Sequence, residues 1–409
     1  MTVQSSAQHS DRTLYSALVD HIHSTPDQRI TFATYMDWAL YHPEHGYYNS
    51  HAEKIGAHGD FVTSSHLGHD FGELLAVQFV QLWDILGRPQ PFHLVEMGAG
   101  QGLLAHDILR HLYQCHPDCF AAVEYIIIEK SAALIAEQRQ RLGSLAEQWG
   151  QLRWCEWDAI APDSLIGCCF SNELVDAFPV HWVEKQGGTL HEVYVTAASE
   201  PDPMTNLPNL AEVLGPLSSD RIVDYFERNG IDILSDRYPD GYRTEVNLMT
   251  EDWLTTVNQR LQRGYLLTID YGYTADRYYA PTRSGGTLQC YYQHAHHSDP
   301  YRYVGRQDLT AHVNVTDLQR LGDRLGLTHI GHTQQGLFLM ALGLGDRLAL
   351  LSNPETAPDV QTLLQRRDAL HALMDPTGLG NFQVVVQAKG LAESETAQTL
   401  QGFSQPSLF

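Results

Sequence analysis

The segment Val95-Glu-Met-Gly-Ala-Gly-Gln-Gly102 restricts the possible folds of this 409-residue chain more than any other stretch. It joins an apolar strand, Phe92 to Met97, to a helix whose Leu104, Ile108 and Leu112 lie four apart on one face. Glycines at 98, 100 and 102 permit a tight turn and let a ligand approach the backbone. Three more apolar runs follow, Tyr125-Ile-Ile-Ile128, Leu152 to Trp157 and Ile166 to Phe170, separated by helices or loops. Runs that are apolar on both faces fit a parallel sheet covered on both sides, so the expected class is α/β.

The flanking segments read differently. Leu14 to about Gly59 suggests helices, with Ile30 to Leu40 apolar at helical spacing and a turn at His42-Pro-Glu-His-Gly-Tyr-Tyr48. Phe71 to Leu86 suits a buried helix closed by Gly87 and Pro89. His181-Trp-Val183 and Leu190 to Val195 flank Gly187-Gly188 as a hairpin, and the proline-bearing Glu200 to Pro216 reads as a loop. A helical stretch from Glu245 to Arg263 leads into a strand, Gly264 to Asp270. Tyr273 to Thr310, rich in Tyr, His, Gly and Arg, reads as a long functional loop. Late strands are expected at Leu337 to Leu342 and Phe382 to Ala388, and the polar tail after Ala392 is expected to be loose.

Composition excludes several function classes. With 49 acidic against 26 basic residues the formal charge is −23, and there is no long basic run, which argues against a nucleic-acid partner. A cationic partner is easier to accommodate. No apolar run approaches the roughly 18 residues that span a bilayer, so no membrane span is expected. Met1 to Asp11 has neither an apolar signal core nor an Arg-rich amphipathic pattern, giving the expectation of a soluble, unprocessed, cytoplasmic protein. The six cysteines form no CxxC pair, which favours reduced thiols. Gln293-His-Ala-His-His-Ser298 and Cys115-His-Pro-Asp-Cys119 lack complementary ligand spacing, so no metal site is expected.

The glycine turn is not a dinucleotide fingerprint, since position 103 is Leu103. Glu96, two residues before the first glycine, suits a cofactor with a positively charged amino-acid moiety and no pyrophosphate, as in S-adenosylmethionine. Glu129 ends the next strand, 27 residues after Gly102, where a carboxylate can bind both ribose hydroxyls. NAD would use the same ribose contact, so Glu129 alone does not discriminate. Trp157 and Asp158, after the third strand, offer a ring face and a carboxylate for adenine, or are simply a half-buried Trp with a capping Asp. Asn172, Glu173 and Asp176 follow the fourth strand at the carboxyl edge of the sheet. Carboxylates there can grip a guanidinium bidentately and orient its nitrogen for methyl transfer, and the alternative is that Asn172 and Asp176 cap a helix. Asp270-Tyr271 can contact substrate or serve only the turn. An Asn/Asp-Pro-Pro-aromatic motif is missing at 172–175, which lowers nucleobase methylation.

Taken together, several motifs resemble the MidA-type class I methyltransferases, which include the mitochondrial complex I assembly factor that methylates an arginine. Besides the glycine turn they are His42 to Tyr48, Gly59-Asp-Phe-Val-Thr-Ser-Ser65, Phe71-Gly-Glu-Leu74, Asn172 to Val180, Ile269-Asp-Tyr-Gly272, Gly285-Gly-Thr-Leu288 and Asp308 to Asn314. The resemblance covers roughly Ile30 to Gly390. It implies a Rossmann-like seven-stranded sheet, a helical N-terminal cap and a substrate-covering insertion. The corresponding division is a cap at 1–70, a core at 71–200 and 245–345 with insertions at 201–244 and 273–315, a helix and strand at 346–392 completing the core, and a loose tail at 393–409. The resemblance also implies that Gly59, Asp60, Phe61, Thr63 and Glu73 line the S-adenosyl-L-methionine pocket beside Gly98, Gly100, Gly102 and Glu129. The implied activity is arginine N-methylation of a protein, with a subunit of an NADH dehydrogenase-type complex as partner. A small-molecule methyltransferase and a non-catalytic assembly chaperone on the same fold are the alternatives.

Overall fold

The computed structural model describes residues 9–50, 63–202, 205–293, 295–351 and 359–404. Its centre is a seven-stranded sheet built from β1 (Phe92–Met97), β2 (Val123–Ile128), β3 (Leu152–Trp154), β4 (Leu165–Asn172), β5 (Leu261–Asp270), β6 (Thr328–Gln334) and β7 (Gln383–Lys389). The order across the sheet is β3-β2-β1-β4-β5-β7-β6, with β7 antiparallel to both neighbours and the pairs from β3 through β5 parallel. The order reverses between β1 and β4, so the loops after those strands diverge and leave a crevice at their carboxyl ends.

Side-chain alternation explains why these strands are apolar throughout. Phe92, Leu94, Tyr125 and Phe170 face one core, packed by α1 (Asp70–Ile85) and α2 (Leu103–Cys115), while α3 (Ala132–Trp149) follows β2. Val95, Met97, Ile126, Cys169 and Leu266 face the other, where α4 (Met249–Arg260) brings Trp253, Leu254 and Val257 and α5 (Val315–Leu325) brings Leu318 and Leu321. Burial of each such aliphatic side chain contributes about 1.5–3 kcal/mol. Among the described residues no helix is long and apolar enough to cross a membrane.

A second layer is antiparallel. Strand Thr189–Pro201 pairs with Arg29–Thr31, His181–Gln186 and Pro208–Gly215, and His181–Gln186 pairs with Arg243–Val246. Helices Arg12–Ser24 and Phe32–Tyr41 bury Leu14, Leu18, Phe32 and Met36 in one core with Val193, Val195, Leu288 and Cys290. The helices within residues 9–50 thus do not bury their apolar faces on their own. They share a core with the hairpin at 181–201 and the segment near 290.

Four expectations change. Glu200 to Pro216 is not all loop, because Pro208–Gly215 pairs along Thr189–Pro201, leaving the prolines at strand ends. Tyr273 to Thr310 carries a three-stranded sheet of Gln289–Tyr292, Ala295–His297 and Asp308–Thr310, since buried Cys290, Val304 and Leu309 anchor it. Leu337 to Leu342 lies in helix Gln335–Ala341 and its cap; short apolar runs do not separate strand from helix, and here Phe338 and Leu339 bury while Leu337 is exposed. Finally, residues 393–404 are docked rather than loose. Phe403 packs edge-on against Phe338, Leu400 is buried, and the N–H groups of Gln401 and Gly402 donate to Gln81 and Gln78 of α1.

Candidate active site

The turn after β1 takes its shape from three left-handed glycines, with φ of +72° at Gly98, +52° at Gly100 and +75° at Gly102. A Cβ on Gly98 would stand 2.7 Å from Leu174 Cδ1, whereas one on Gly100 would meet nothing within 4 Å, so the space above Gly100 is open to a ligand. Gly102 is the N-cap of α2 and faces Leu142, behind the turn. Gln138, fully buried on α3, ties the turn to the next strand: its Nε2 donates to Gly100 O at 2.7 Å and to Glu129 Oε2 at 3.2 Å. Trp154 in turn donates to Gln138 Oε1. No sequence signal distinguished this glutamine from an ordinary helix residue.

Two acids flank the turn. Glu96 is buried, and its Oε2 accepts from the Tyr125 hydroxyl at 2.6 Å. Burial pushes its carboxyl up to about 7, against the opposing Tyr125 hydrogen bond and with Glu129 adding repulsion. Glu129 Oε1 accepts from the N–H groups of Lys130 and Ser131, and burial raises its carboxyl above the usual range. These contacts hold the Glu129 carboxylate at the lip of the crevice.

The structure brings Thr63, Glu96, Gly98, Gly100, Glu129, Asn172 and Glu173 around one cavity, with Tyr41, Tyr48, His66 and Leu174 completing its wall. Trp157 lines an adjoining cavity that shares Tyr41, Gly98, Glu129 and Leu174 with the first. Asp158 does not join them: its side chain is 99 % exposed, 3.9 Å from Arg260. Glu73 is also absent from these walls. It pairs with Arg347 and with Arg110, at 2.9 Å from the latter, because α1 presents it to the outer helices. Gly59, Asp60 and Phe61 lie outside the described residues.

Beside the first cavity is a second, lined by Glu173, Asp176, Asp308, Tyr48, Tyr271, Tyr273, Tyr291 and His312. Glu173 directly follows β4 in the left-handed region, φ +53°, which a non-glycine residue adopts only when its surroundings enforce it. Its N–H donates to Ile269 O, and its Oε1 accepts from the Ser64 N–H at 3.2 Å and Asn172 Nδ2 at 3.1 Å. It opens onto the two cavities rather than bulk solvent, and this enclosure, reinforced by Asp176, pushes its carboxyl up to about 8. Burial likewise raises Asp176, opposed by a hydrogen bond from Tyr271. Neither Asn172 nor Asp176 serves as the N-cap of the short 3₁₀ turn Val175–Ala177.

Asp308, Tyr48, Tyr291 and His312 carry no individual signal in the sequence, although three lie in motifs that carry the family resemblance. Tyr48 donates to Asp308 Oδ1 at 2.9 Å. His312 stacks on Tyr273, and burial, aided by Arg283, lowers its imidazole to about 4, so it is neutral near pH 7. These residues come from distant segments, and spacing along the chain carries no sign of their meeting.

The donor set fits a sulfonium cofactor. Among the described residues lining the first two cavities there is no Lys or Arg, while Glu96, Glu129, Glu173, Asp176 and Asp308 supply five acids. Positive charge is favoured there and a pyrophosphate has no cationic partner. The buried Asn172 Oδ1 also has no partner within the protein, leaving an acceptor aimed at the same region.

Comparison with known proteins agrees with this chemistry. A family model of S-adenosyl-L-methionine-dependent methyltransferases matches residues 74–333. The chain superposes with a TM-score of 0.81 on a methyltransferase candidate from Burkholderia thailandensis bound to S-adenosyl-homocysteine, at 31% identity, covering 97% of this chain and 95% of that one. It is also 29% identical over 372 residues to the Drosophila melanogaster homolog of protein arginine methyltransferase NDUFAF7, covering 86% of this chain and 79% of the relative. The human protein arginine methyltransferase NDUFAF7 is 29% identical over 374 residues, covering 86% and 78%. Both relatives are mitochondrial proteins, which overturns the expectation of a cytoplasmic setting drawn from residues 1–11.

Proposed function

The chain belongs to the S-adenosyl-L-methionine-dependent methyltransferase family, and from that membership we propose that it is a protein arginine N-methyltransferase. The relatives named as protein arginine methyltransferases support the acceptor class. The observation that carries the reading is the acceptor cavity: three carboxylates and four tyrosines without a Lys or Arg, joined to the cofactor cavity at Glu173 and Tyr48. A planar cation matches that wall, since paired carboxylates bind a guanidinium bidentately and aromatic faces stack on it.

The roles we assign are supported by the cavity linings. Glu129 holds the ribose hydroxyls, Glu96 faces the cofactor's amino group, Asn172 Oδ1 accepts a hydrogen bond, and Trp157 lies along the adenine. When bound, S-adenosyl-L-methionine supplies an electrophilic methyl group on a positively charged sulfur. Glu173 and Asp176 orient the guanidinium so that one nitrogen points across the neck between the two cavities, which converts an encounter into an aligned approach worth up to about 7–11 kcal/mol. As that nitrogen gains the methyl group it must lose a proton, and Glu173 is the carboxylate placed to receive it. The tyrosine wall keeps water from competing. The protein substrate we propose is a subunit of an NADH dehydrogenase-type complex, the partner implied by the family resemblance.

The test is methyl-tritiated S-adenosyl-L-methionine incubated with lysate from cells lacking this protein, followed by mass spectrometry of methylarginines. Label in one protein band as methylarginine supports the reading. Label in extracted metabolites alone replaces it with a small-molecule methyltransferase, and assembly of the complex undiminished by Glu173→Gln, with methylation already absent in the wild type, identifies a chaperone.

A further inference from the structure

Asp270, the last residue of β5, is 2 % exposed and lines neither cavity. Its Oδ2 accepts from three consecutive backbone N–H groups about a hundred residues earlier in the chain, those of Leu174 at 3.2 Å, Val175 at 2.9 Å and Asp176 at 3.3 Å. Its Oδ1 accepts from the N–H of Tyr271 at 2.9 Å. Four donors thus converge on one carboxylate. They belong to the short turn that starts immediately after Glu173 and to the residue whose hydroxyl binds Asp176. The preceding residue of the same strand, Ile269, takes the Glu173 N–H through its carbonyl. The strained Glu173 backbone is therefore held on its two sides by consecutive residues of β5.

We propose that Asp270 is the positioning residue of the methyl transfer, its carboxylate fixing the 174–176 turn so that Glu173 and Asp176 present their acids to the acceptor. This rests on the arginine methyl-transfer reading above. Mere turn chemistry is a poor account of the residue. Asn or Ser offers a single acceptor oxygen, whereas the Asp270 carboxyl takes N–H donors on both of its oxygens. It also packs a third buried acid beside Asp176 and Glu173, and burial together with those two neighbours pushes it well above the usual carboxylate range. The fold tolerates that crowding of acids where a cation is to be bound. In the transfer the guanidinium nitrogen forms its bond to the methyl carbon as the carbon–sulfur bond breaks, the electron pair of that bond returns to sulfur to leave a neutral thioether, and the displaced N–H proton passes to Glu173. Asp270 touches none of these atoms. It acts through the acids that do.

The test compares the wild type with Asp270→Asn and Asp270→Glu. The readouts are tritiated-methyl transfer to lysate protein across pH, S-adenosyl-L-methionine affinity by calorimetry, and amide exchange at 174–176. The groups facing Glu173 and Asp176 are Asp270 and Tyr271 from the end of β5, Asp308 and Tyr291 from the three-stranded sheet, and Tyr41 and Tyr48 from the N-terminal segment. Removing one acceptor oxygen loosens the turn that presents Glu173 and Asp176, so Asp270→Asn should slow transfer about 10–100-fold at every pH. Asp270→Glu keeps both acceptor oxygens but displaces them, and should also lose rate. Both should bind the cofactor within about threefold of wild type, a split that general loosening of the fold would not produce. Exchange at 174–176 should accelerate selectively. Transfer by Asp270→Asn within twofold of wild type, or unchanged exchange at 174–176, overturns the proposal. If Asp270→Asn does not fold, a wild-type rate in Asp270→Glu overturns it. A wild type that methylates no arginine, with exchange at 174–176 still dependent on Asp270, removes the arginine reading and leaves the anchoring of the turn intact.

Discussion

Tyr48 and Glu173 are the two described residues that line both the cavity proposed for the cofactor and the one proposed for the acceptor, so the neck between the two is bounded by a phenol and a carboxyl. Tyr48 is fixed at both ends. Its hydroxyl donates to Asp308, and its carbonyl accepts from Ser131, the N-cap of α3 that follows Glu129. Cofactor side and acceptor side are thereby mechanically joined through one residue.

Replacing Glu173 by Gln keeps an oxygen for the Ser64 N–H and Asn172 donors while removing the charge. Methyl transfer should fall at least about 100-fold. S-adenosyl-L-methionine affinity, measured by calorimetry, should change less than about tenfold. A variant with wild-type turnover would remove Glu173 from the chemistry.

The free enzyme should gain activity as pH rises. Burial, with Asp176, holds the Glu173 carboxyl up to about 8, and its carboxylate is the form that binds a cation and takes a proton. The acid limb of kcat/KM should therefore lie in the neutral range, well above the ordinary glutamate value of 4.5. A limb confined below pH 5 would contradict this assignment.

Stability should move in the opposite sense. A carboxyl whose folded value is raised contributes stability that is fully present below its unfolded value and is lost as pH rises through the folded one. Glu173, at about 8, and Glu96, at about 7, both act this way. Urea unfolding of the cofactor-free protein should show a decline on the order of a few kcal/mol between pH 4.5 and pH 8. Glu173→Gln should flatten that slope, and saturating S-adenosyl-L-methionine should offset it.

Glu129→Ala removes the carboxylate proposed for the ribose hydroxyls. Hydrogen bonds to a charged group contribute about 1.5–3 kcal/mol, so the cofactor dissociation constant should rise about 10–100-fold. Turnover at saturating cofactor should change much less, a separation that steady-state kinetics can read directly.

Ending the chain after Ala392 tests the docked tail. The truncation removes Leu400 and the Phe403 ring packed on Phe338, together with the hydrogen bonds to Gln78 and Gln81. A loss of about 2–4 kcal/mol is expected by chemical denaturation, with cofactor affinity unchanged in the folded fraction. An unaltered midpoint would mean that the tail contributes nothing to the core.

Much of this was legible along the chain because it depends on local pattern. The glycine turn, the apolar strands and the acids at strand ends are read from neighbours in sequence, and β1 spans the residues expected of it. Glu96, Glu129 and Glu173 are likewise found where a strand end must deliver them. Asp158 failed the same logic because β3 stops at Trp154 and a 3₁₀ turn swings the carboxylate outward beside Arg260. Glu73 failed because a helix residue's direction depends on what packs around the helix, and Arg347 lies far along the chain.

The chain's local order thus settles the class of fold, the position of the glycine turn and the acids that border it, since each follows from strand alternation and a backbone that only glycine adopts easily. The acceptor side is different in kind. Tyr48, Asp308 and His312 meet Glu173 only because the antiparallel layer and the three-stranded sheet fold back over the carboxyl ends of β4 and β5. Contacts of that range are chosen by burial and by pairing between distant strands. The same holds for Asp270, whose carboxylate reads as ordinary turn chemistry until folding sets three distant N–H groups on one oxygen.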